Sequence, residues 1–374
     1  MSDKILGKEE FKFGSGKYFQ FPGASFIAGR EARHFGKKVY LIGGRTALSL
    51  ISDRLKRSFA DEGIAFEEEY FEGHPSIEKI LQLQEAVMSS GCDVIMAVGG
   101  GRCIDLAKAA AANLSVPIIT VPTSAATCAA FAPLSVIYHS DGSYDHCIWH
   151  EREVDVVLAD SDILLREPRR LFASGILDAM AKYIEISNGE NELNLDNTSL
   201  PLLTASHLAR FVYDLLTETA IPAVCSANKE SEASLSDERK ALLKRDLEYT
   251  VFLNIALTGI VSGITKGKGQ TSVAHAFYNS MRSLFPSETS PYLHGEIVAV
   301  GTIAQLVFNG CEKDISTLKK CMASMGMPCS VSEMGIKLSD KDMSYLYKSI
   351  SEKRFMVHDD IHEERLRKAL EEVR

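Results

Sequence analysis

Cys92-Asp-Val-Ile-Met-Ala-Val-Gly99-Gly-Gly-Arg-Cys-Ile-Asp105-Leu-Ala-Lys108 decides the fold of this chain. Val94 to Val98 is an unbroken apolar run, as expected of a strand buried on both faces, and it stops at three consecutive glycines. Ile104 to Lys108 then opens a helix that the alanines at 109–112 continue. A strand, a glycine turn and a helix start leave unpaired backbone N–H groups at the positive end of a helix dipole, which suits an anion. Glycine serves the turn because a Cβ would keep a pyrophosphate off the backbone. Ordinary strand-to-helix turns are also glycine-rich, and the Gly-x-Gly-x-x-Gly spacing of the usual dinucleotide fingerprint is absent.

Working outward, Lys38–Ile42 reads as a strand ended by Gly43 and Gly44, Ala47–Phe59 as a helix and Phe66–Tyr70 as a second strand. Ile77–Ser90 is amphipathic at helical period, and Val116–Val121 is a further strand running into Pro122-Thr123-Ser124. Strands alternating with helices at this spacing predict a parallel sheet in an α/β domain. Ligands of such sheets sit at the carboxyl ends of the strands, where the Gly99 and Thr123 turns fall. Leu134–Tyr138 is expected to start a hairpin whose return arm is Val154–Leu158.

From about Leu164 long helical stretches take over, at Ser174–Ser187, Pro201–Leu216, Ser234–Thr258, Thr271–Leu284 and Ile297–Phe308. The expected organisation is therefore an α/β dinucleotide-binding domain over 1–162 and an all-helical, metal-binding domain over 163–374. The polar segment Asn188–Asn197 reads as a surface loop.

Composition narrows the function classes. A 374-residue chain with 45% hydrophobic and 24% charged residues has the make-up of a two-domain globular protein. Its net charge of −9, with no basic stripe, argues against nucleic acid. The first ten residues hold no apolar h-region, and no apolar run is long enough to suggest a membrane span. Eight cysteines without a Cys-x-x-Cys pair suit reduced thiols, so a cytoplasmic setting is expected.

Three polar residues in the helical half stand among apolar neighbours: Asp178 in Ile176-Leu-Asp-Ala-Met, His275 in Val273-Ala-His-Ala-Phe, and His294 just before Gly295-Glu-Ile-Val. Buried groups of this kind need a partner or a cation. Three such ligands on separate helices would hold a divalent ion and leave a position open, as catalytic zinc sites do. His146 and His150 share a four-residue spacing, but in an extended context where that spacing does not chelate; His358 and His362 are terminal and set among charges. Both pairs read as structural or solvent-facing.

Taken together, Gly99-Gly-Gly-x-x-x-Asp105-x-Ala-Lys108, Pro122-Thr-x-Ala-x-Thr127, Leu134-Ser-Val-Ile-Tyr138, Asp178-Ala, Ala-His275-Ala and His294-Gly-Glu resemble the glycerol dehydrogenase branch of the iron-containing alcohol dehydrogenase superfamily. The resemblance covers roughly residues 15 to 370. It implies a nucleotide-binding domain, a helical domain and an active site in the cleft between them. It further implies metal ligation by Asp178, His275 and His294, and cofactor contacts by Gly100, Gly101, Arg102, Asp105, Thr123, Leu134 and Tyr138. A homo-oligomer acting on a small-molecule substrate is expected.

The chain departs from that pattern at two places. Glycerol dehydrogenases carry an aspartate where Cys128 stands, and the Cys128 version looks like the hydroxycarboxylate dehydrogenase relatives. The favoured expectation is therefore a 2-hydroxy or 2-oxo carboxylic acid, with glycerol as the alternative. Where NAD-preferring relatives place an acid near the ribose, this chain has Gly44 and Arg45, which points to NADP, with NAD or dual use as the alternative. Iron-type relatives often carry a histidine one turn after the aspartate; Lys182 stands there, which favours zinc over iron. A dehydroquinate synthase-type cyclase shares the fold, but a phosphate-bearing substrate needs more cations than Lys266, Lys268 and Arg282 offer.

Overall fold

The computed structural model describes residues 12–188, 193–229, 236–266 and 271–374. They form two compact units, one comprising Lys12–Pro168 with Asn254–Ile260, the other Arg169–Leu253 with Val261–Arg374.

The first unit is built on a six-stranded, all-parallel sheet. Its strands are β1 (Ser15–Phe21), β2 (Lys38–Gly43), β3 (Ala65–Tyr70), β4 (Val94–Gly99), β5 (Ile118–Pro122) and, after a separate ribbon of β6 (Leu134–Tyr138) and β7 (Tyr144–Trp149), β8 (Val154–Asp160). The spatial order is β1-β8-β5-β4-β2-β3. Helices α1 (Ala28–Arg33), α2 (Arg45–Glu62), α3 (Ile77–Ser90) and α4 (Gly101–Leu114) supply the crossovers, and the short α5 (Ser161–Leu164) follows β8. Every residue of β4 and of β5 is buried, which accounts for their unbroken apolar sequences. The chain leaves β2 toward β3 and leaves β4 toward β5, so strand order reverses between β2 and β4. That reversal is the ligand crevice of an open α/β sheet.

Two sequence expectations need correcting here. The partner of β6 is Tyr144–Trp149, with Leu134 opposite Trp149 and Tyr138 opposite Tyr144. Val154–Asp160 instead lies between β1 and β5. Its Val-Val-Leu-Ala run is apolar on both faces and is buried almost throughout, whereas the mixed Tyr-Asp-His-Cys-Ile-Trp stretch suits a half-exposed ribbon. The second correction is at α4, which begins at Gly101 rather than near Ile104, so two of the three glycines form its N-cap and first residue.

The second unit is helical: α6 (Arg169–Ser187), α7 (Leu200–Leu215), α8 (Ile221–Lys229), α9 (Asp237–Phe252), α10 (Thr258–Thr265), α11 (Val273–Leu284), α12 (Pro286–Thr289), α13 (His294–Phe308), α14 (Glu312–Ser324), α15 (Asp340–Ser351) and α16 (Asp360–Glu372). Residues Asn254–Leu257 and the start of α10 belong to the first unit. Residues 189–192 of the expected surface loop, like Lys268, lie outside the described residues.

Among the described residues, the helical run Asp237–Thr265 is long and apolar enough to cross a membrane by length and composition alone. A π-helical segment, Leu253–Leu257, joins α9 to α10 and makes the run continuous. Of its most apolar window 72% is buried within the protein, as in the core helix of a globular fold.

Candidate functional site

Asp178, Lys182 and Glu185 occupy positions i, i+4 and i+7 of α6, one polar stripe on a helix whose other residues nearby are apolar. All three are buried, Glu185 and Asp178 almost completely. His275 sits in the first turn of α11, and His294 is the first residue of α13. The structure brings Asp178, His275 and His294 together, with one ligand-type atom from each lying within 4.8 Å of the others. The Nε2 atoms of His275 and His294 are each 3.3 Å from Asp178 Oδ1. Ligands about 2.1 Å from a tetrahedral ion stand roughly 3.4 Å apart, so these spacings fit a single cation. Asp178 Oδ1 is, moreover, a buried oxygen that accepts no hydrogen bond among the described residues. A buried, orphaned carboxylate oxygen facing two imidazole nitrogens is a donor set for a divalent metal.

Electrostatics agree with that chemistry at Asp178, Glu185 and His294, while at His275 they favour a proton that a cation would have to displace. Burial would raise the Asp178 carboxyl, but Lys182 and the two histidines outweigh it and hold the group well below the ordinary range, so it stays ionised. Glu185 behaves alike, its burial overcome chiefly by His275. His294 is lowered, mainly by burial, which keeps a lone pair available. For His275 burial pushes down, yet the Glu185 carboxylate wins and raises it.

Glu185 is a candidate site residue that sequence reasoning missed. Its Oε2 accepts from His275 Nδ1 at 2.5 Å and its Oε1 accepts from the His275 and Ser272 backbone N–H groups, at 2.9 and 2.8 Å. A carboxylate behind a ligating histidine fixes ring orientation and tautomer. The i, i+4, i+7 stripe on α6 was the available signal. Gly295 was passed over too. A Cβ there would stand 1.9 Å from the Ser174 carbonyl oxygen, so glycine is what lets α13 meet α6 one turn before Asp178. Arg170 locks the same junction, donating twice to the Glu296 carboxylate at 2.6 Å, while Glu296 Oε2 also accepts from the Leu293 N–H.

In the first unit, the glycine turn joins β4 to α4 at the reversal in strand order. Gly99 has φ +151°, a conformation that side chains rarely adopt. Gly100 is the N-cap of α4, in extended conformation and without a side-chain cap; the space where its Cβ would point is open. Gly101 is tighter, with Thr127 Oγ1 3.2 Å from where its Cβ would be. Arg102 is exposed beside them, and the Thr123 N–H donates to Gly99 O at 3.0 Å, tying the next turn to this one. Gly44 and Arg45 stand across the crevice at the start of α2. Arg45 is exposed, 3.2 Å from Glu72 and over the Tyr70 ring.

Asp105 is turned inward and holds structure. Its carboxylate lies 3.0 Å from Lys108 Nζ and accepts from the Val136 N–H at 3.2 Å. Lys108 in turn donates to the carbonyls of Ala129, Ala132 and Leu134. This buried pair staples the 129–134 segment and the β6 ribbon, including Leu134, to α4. Tyr138, at the far end of β6, is buried with its ring 5.6 Å from that of His74. Cys128 is buried in the turn that follows β5, its carbonyl accepting from the Phe131 and Ala132 N–H groups. The turn itself is braced by Glu167, which accepts from the Ala125 N–H.

The histidine pairs do not form chelating sites. Buried His150 lies 2.8 Å from Ser135 Oγ, its pKa pushed down to about 3 by burial and by Lys108. His146 is half-buried beside Asp145, and His362 bonds the N-cap Asp359 of α16. Of the cations weighed for a phosphate-bearing substrate, Arg282 is buried and reaches Thr289 Oγ1.

Comparison with known proteins follows the same lines. The profile of the family described as iron-containing alcohol dehydrogenase matches residues 15–161. The glycerol dehydrogenase of Thermotoga maritima is 30% identical over 349 residues, 92% of this chain and 90% of that one. Hydroxycarboxylate dehydrogenase A of Escherichia coli is 29% identical over 337 residues, covering 88% and 86%. The crystal structure of glycerol dehydrogenase from Schizosaccharomyces pombe superposes with a TM-score of 0.80 at 23% identity, over 98% of this chain and 90% of that one.

Proposed function

Because the chain belongs to the iron-containing alcohol dehydrogenase family, we propose that it is a metal-dependent, NAD(P)-linked oxidoreductase interconverting a small polyol and its carbonyl form. The observation that carries the reading is the cluster of Asp178, His275 and His294 around one orphaned carboxylate oxygen. These three residues would hold a divalent cation, zinc in preference to iron because Lys182 offers no fourth ligand of the imidazole kind. When bound, that cation supplies Lewis acidity toward the substrate oxygen, and the nicotinamide supplies the hydride acceptor or donor. Asp178 would contribute the negative charge, and each histidine would contribute its Nε2 lone pair. Glu185 keeps His275 oriented. Gly100 and Gly101 offer backbone N–H groups to the cofactor's pyrophosphate.

On substrate, the names of the relatives favour glycerol over the 2-hydroxy acid that Cys128 suggested. The acid keeps a second place because hydroxycarboxylate dehydrogenase A is also similar over most of the chain and because Cys128 puts a thiol where a polyol-binding carboxylate is expected. The test is a panel of glycerol, other polyols, aldehydes and 2-oxo acids, each with both nicotinamide cofactors. A higher kcat/KM for glycerol than for any 2-hydroxy acid is expected, and the reverse ranking overturns the polyol reading. Cys128→Asp should move the ratio further toward glycerol, with some loss of stability from burying a carboxylate. An unchanged ratio would remove Cys128 from the choice of substrate.

Cofactor choice rests on Gly44 and Arg45. Positions 44 and 45 carry no acid to repel a 2′-phosphate, and the exposed Arg45, which can exchange its surface pairing with Glu72 for a phosphate, favours NADP being accepted at least as well as NAD. Gly44→Asp tests this cleanly: a Cβ there meets nothing closer than Phe71 O at 3.9 Å, and aspartate is a good N-cap. The variant should fold at least as stably and lower the NADPH:NADH ratio of kcat/KM by about tenfold or more. Wild-type enzyme strongly preferring NADH would refute the assignment.

A further inference from the structure

We propose that Lys182 is a built-in competitor for the metal, its ammonium holding the His275 lone pair that an incoming cation must take. The inference rests on the metal-site reading above and adds what sets the affinity. Lys182 follows Asp178 by one turn of α6 and is buried, so its charge is not dissipated in water. Its Nζ lies 2.7 Å from His275 Nε2 and 3.7 Å from Asp178 Oδ1. The other ring nitrogen of His275 is committed to Glu185. Two N–H groups cannot point at each other across 2.7 Å, so with the ammonium there Nε2 accepts and Lys182 donates. A lone pair bound to an ammonium proton is closed to a metal.

The same placement explains how the metal-free protein tolerates its centre. Asp178 and Glu185 are two buried carboxylates, and buried charge must be compensated. Lys182 is the buried ammonium on their own helix face, 3.7 Å from Asp178 Oδ1. A metal dication takes over that compensation and then stands beside the displaced ammonium, which it repels. Lys182 therefore stabilises the metal-free fold and weakens metal binding at once. It is a positioning residue that makes loading reversible.

The experiment uses the full chain stripped with a chelator. Zinc affinity is measured by competition with a chromophoric chelator, and thermal melting is followed with and without zinc, for wild type, Lys182→Met and Lys182→Gln. Both variants should bind zinc about ten- to a hundredfold more tightly than wild type. Their metal-free forms should melt lower than metal-free wild type, and zinc should raise their melting temperatures by more. If Lys182→Met does not fold without metal, Lys182→Gln carries the comparison. Wild type binding one zinc, with equal or weaker affinity in the folded variants, overturns the proposal and leaves the metal site standing. Wild type binding no zinc removes both.

Discussion

Asp178→Asn should leave the protein folded but without bound metal, and should cut kcat/KM for the best substrate roughly a thousandfold or more, since a Lewis acid at a reacting oxygen is worth several kcal/mol. The carboxylate is the only anionic member of the three-residue cluster and lies 3.3 Å from both imidazoles. Asparagine keeps the shape and one oxygen but loses the charge that compensates a dication. The amide also leaves Lys182 without its nearest carboxylate. Metal content by elemental analysis and steady-state kinetics on the same preparation check it. Full metal occupancy with near-normal turnover in Asp178→Asn would show that the cluster is a hydrogen-bonded core and nothing more.

Gly295→Ala should be among the most damaging single methyl groups that could be added at the described glycines. The new Cβ would stand 1.9 Å from the Ser174 carbonyl oxygen and 2.7 Å from its carbon, backbone atoms of a helix that cannot swing aside. Helix α13 would have to move off α6, and His294 would move with it, away from Asp178. Overpacking of a core commonly costs 1–3 kcal/mol, and a clash with backbone belongs at or above the upper end, about 3 kcal/mol or more. Chemical denaturation gives the stability and zinc titration gives the affinity; both should fall. A stable Gly295→Ala variant with unchanged zinc binding would mean that the two helices tolerate a different approach.

Much of this architecture was legible because burial on both faces of β4 and β5 leaves short, unbroken apolar runs bounded by glycine and proline. The edge strand β1 was harder. β1, Ser15–Phe21, has a mixed Gly-Lys-Tyr-Phe-Gln pattern because at the sheet edge only part of it is covered. The return arm of the β6 ribbon was misassigned because two strand-like segments, 144–149 and 154–160, compete for the pairing, and only the sheet's need for a doubly apolar strand separates them. Asp178, His275 and His294 could be picked out as polar residues among apolar neighbours, but their meeting at one point depends on helices far apart in sequence. Glu185 was hidden by the same distance, since its role shows only once α11 is laid against α6. Asp105 shows what a motif leaves out. Its place in a glycine-turn motif suggested a cofactor contact, while the fold turns it inward onto Lys108.

The central claim is that Asp178, His275 and His294 hold a divalent cation on which alcohol oxidation depends. The most direct measurement is a titration of chelator-stripped protein with zinc while following glycerol-dependent reduction of NAD or NADP. The account predicts no activity in the stripped protein and a rise that saturates at one zinc per chain. Full activity in stripped protein whose metal content is negligible would contradict it.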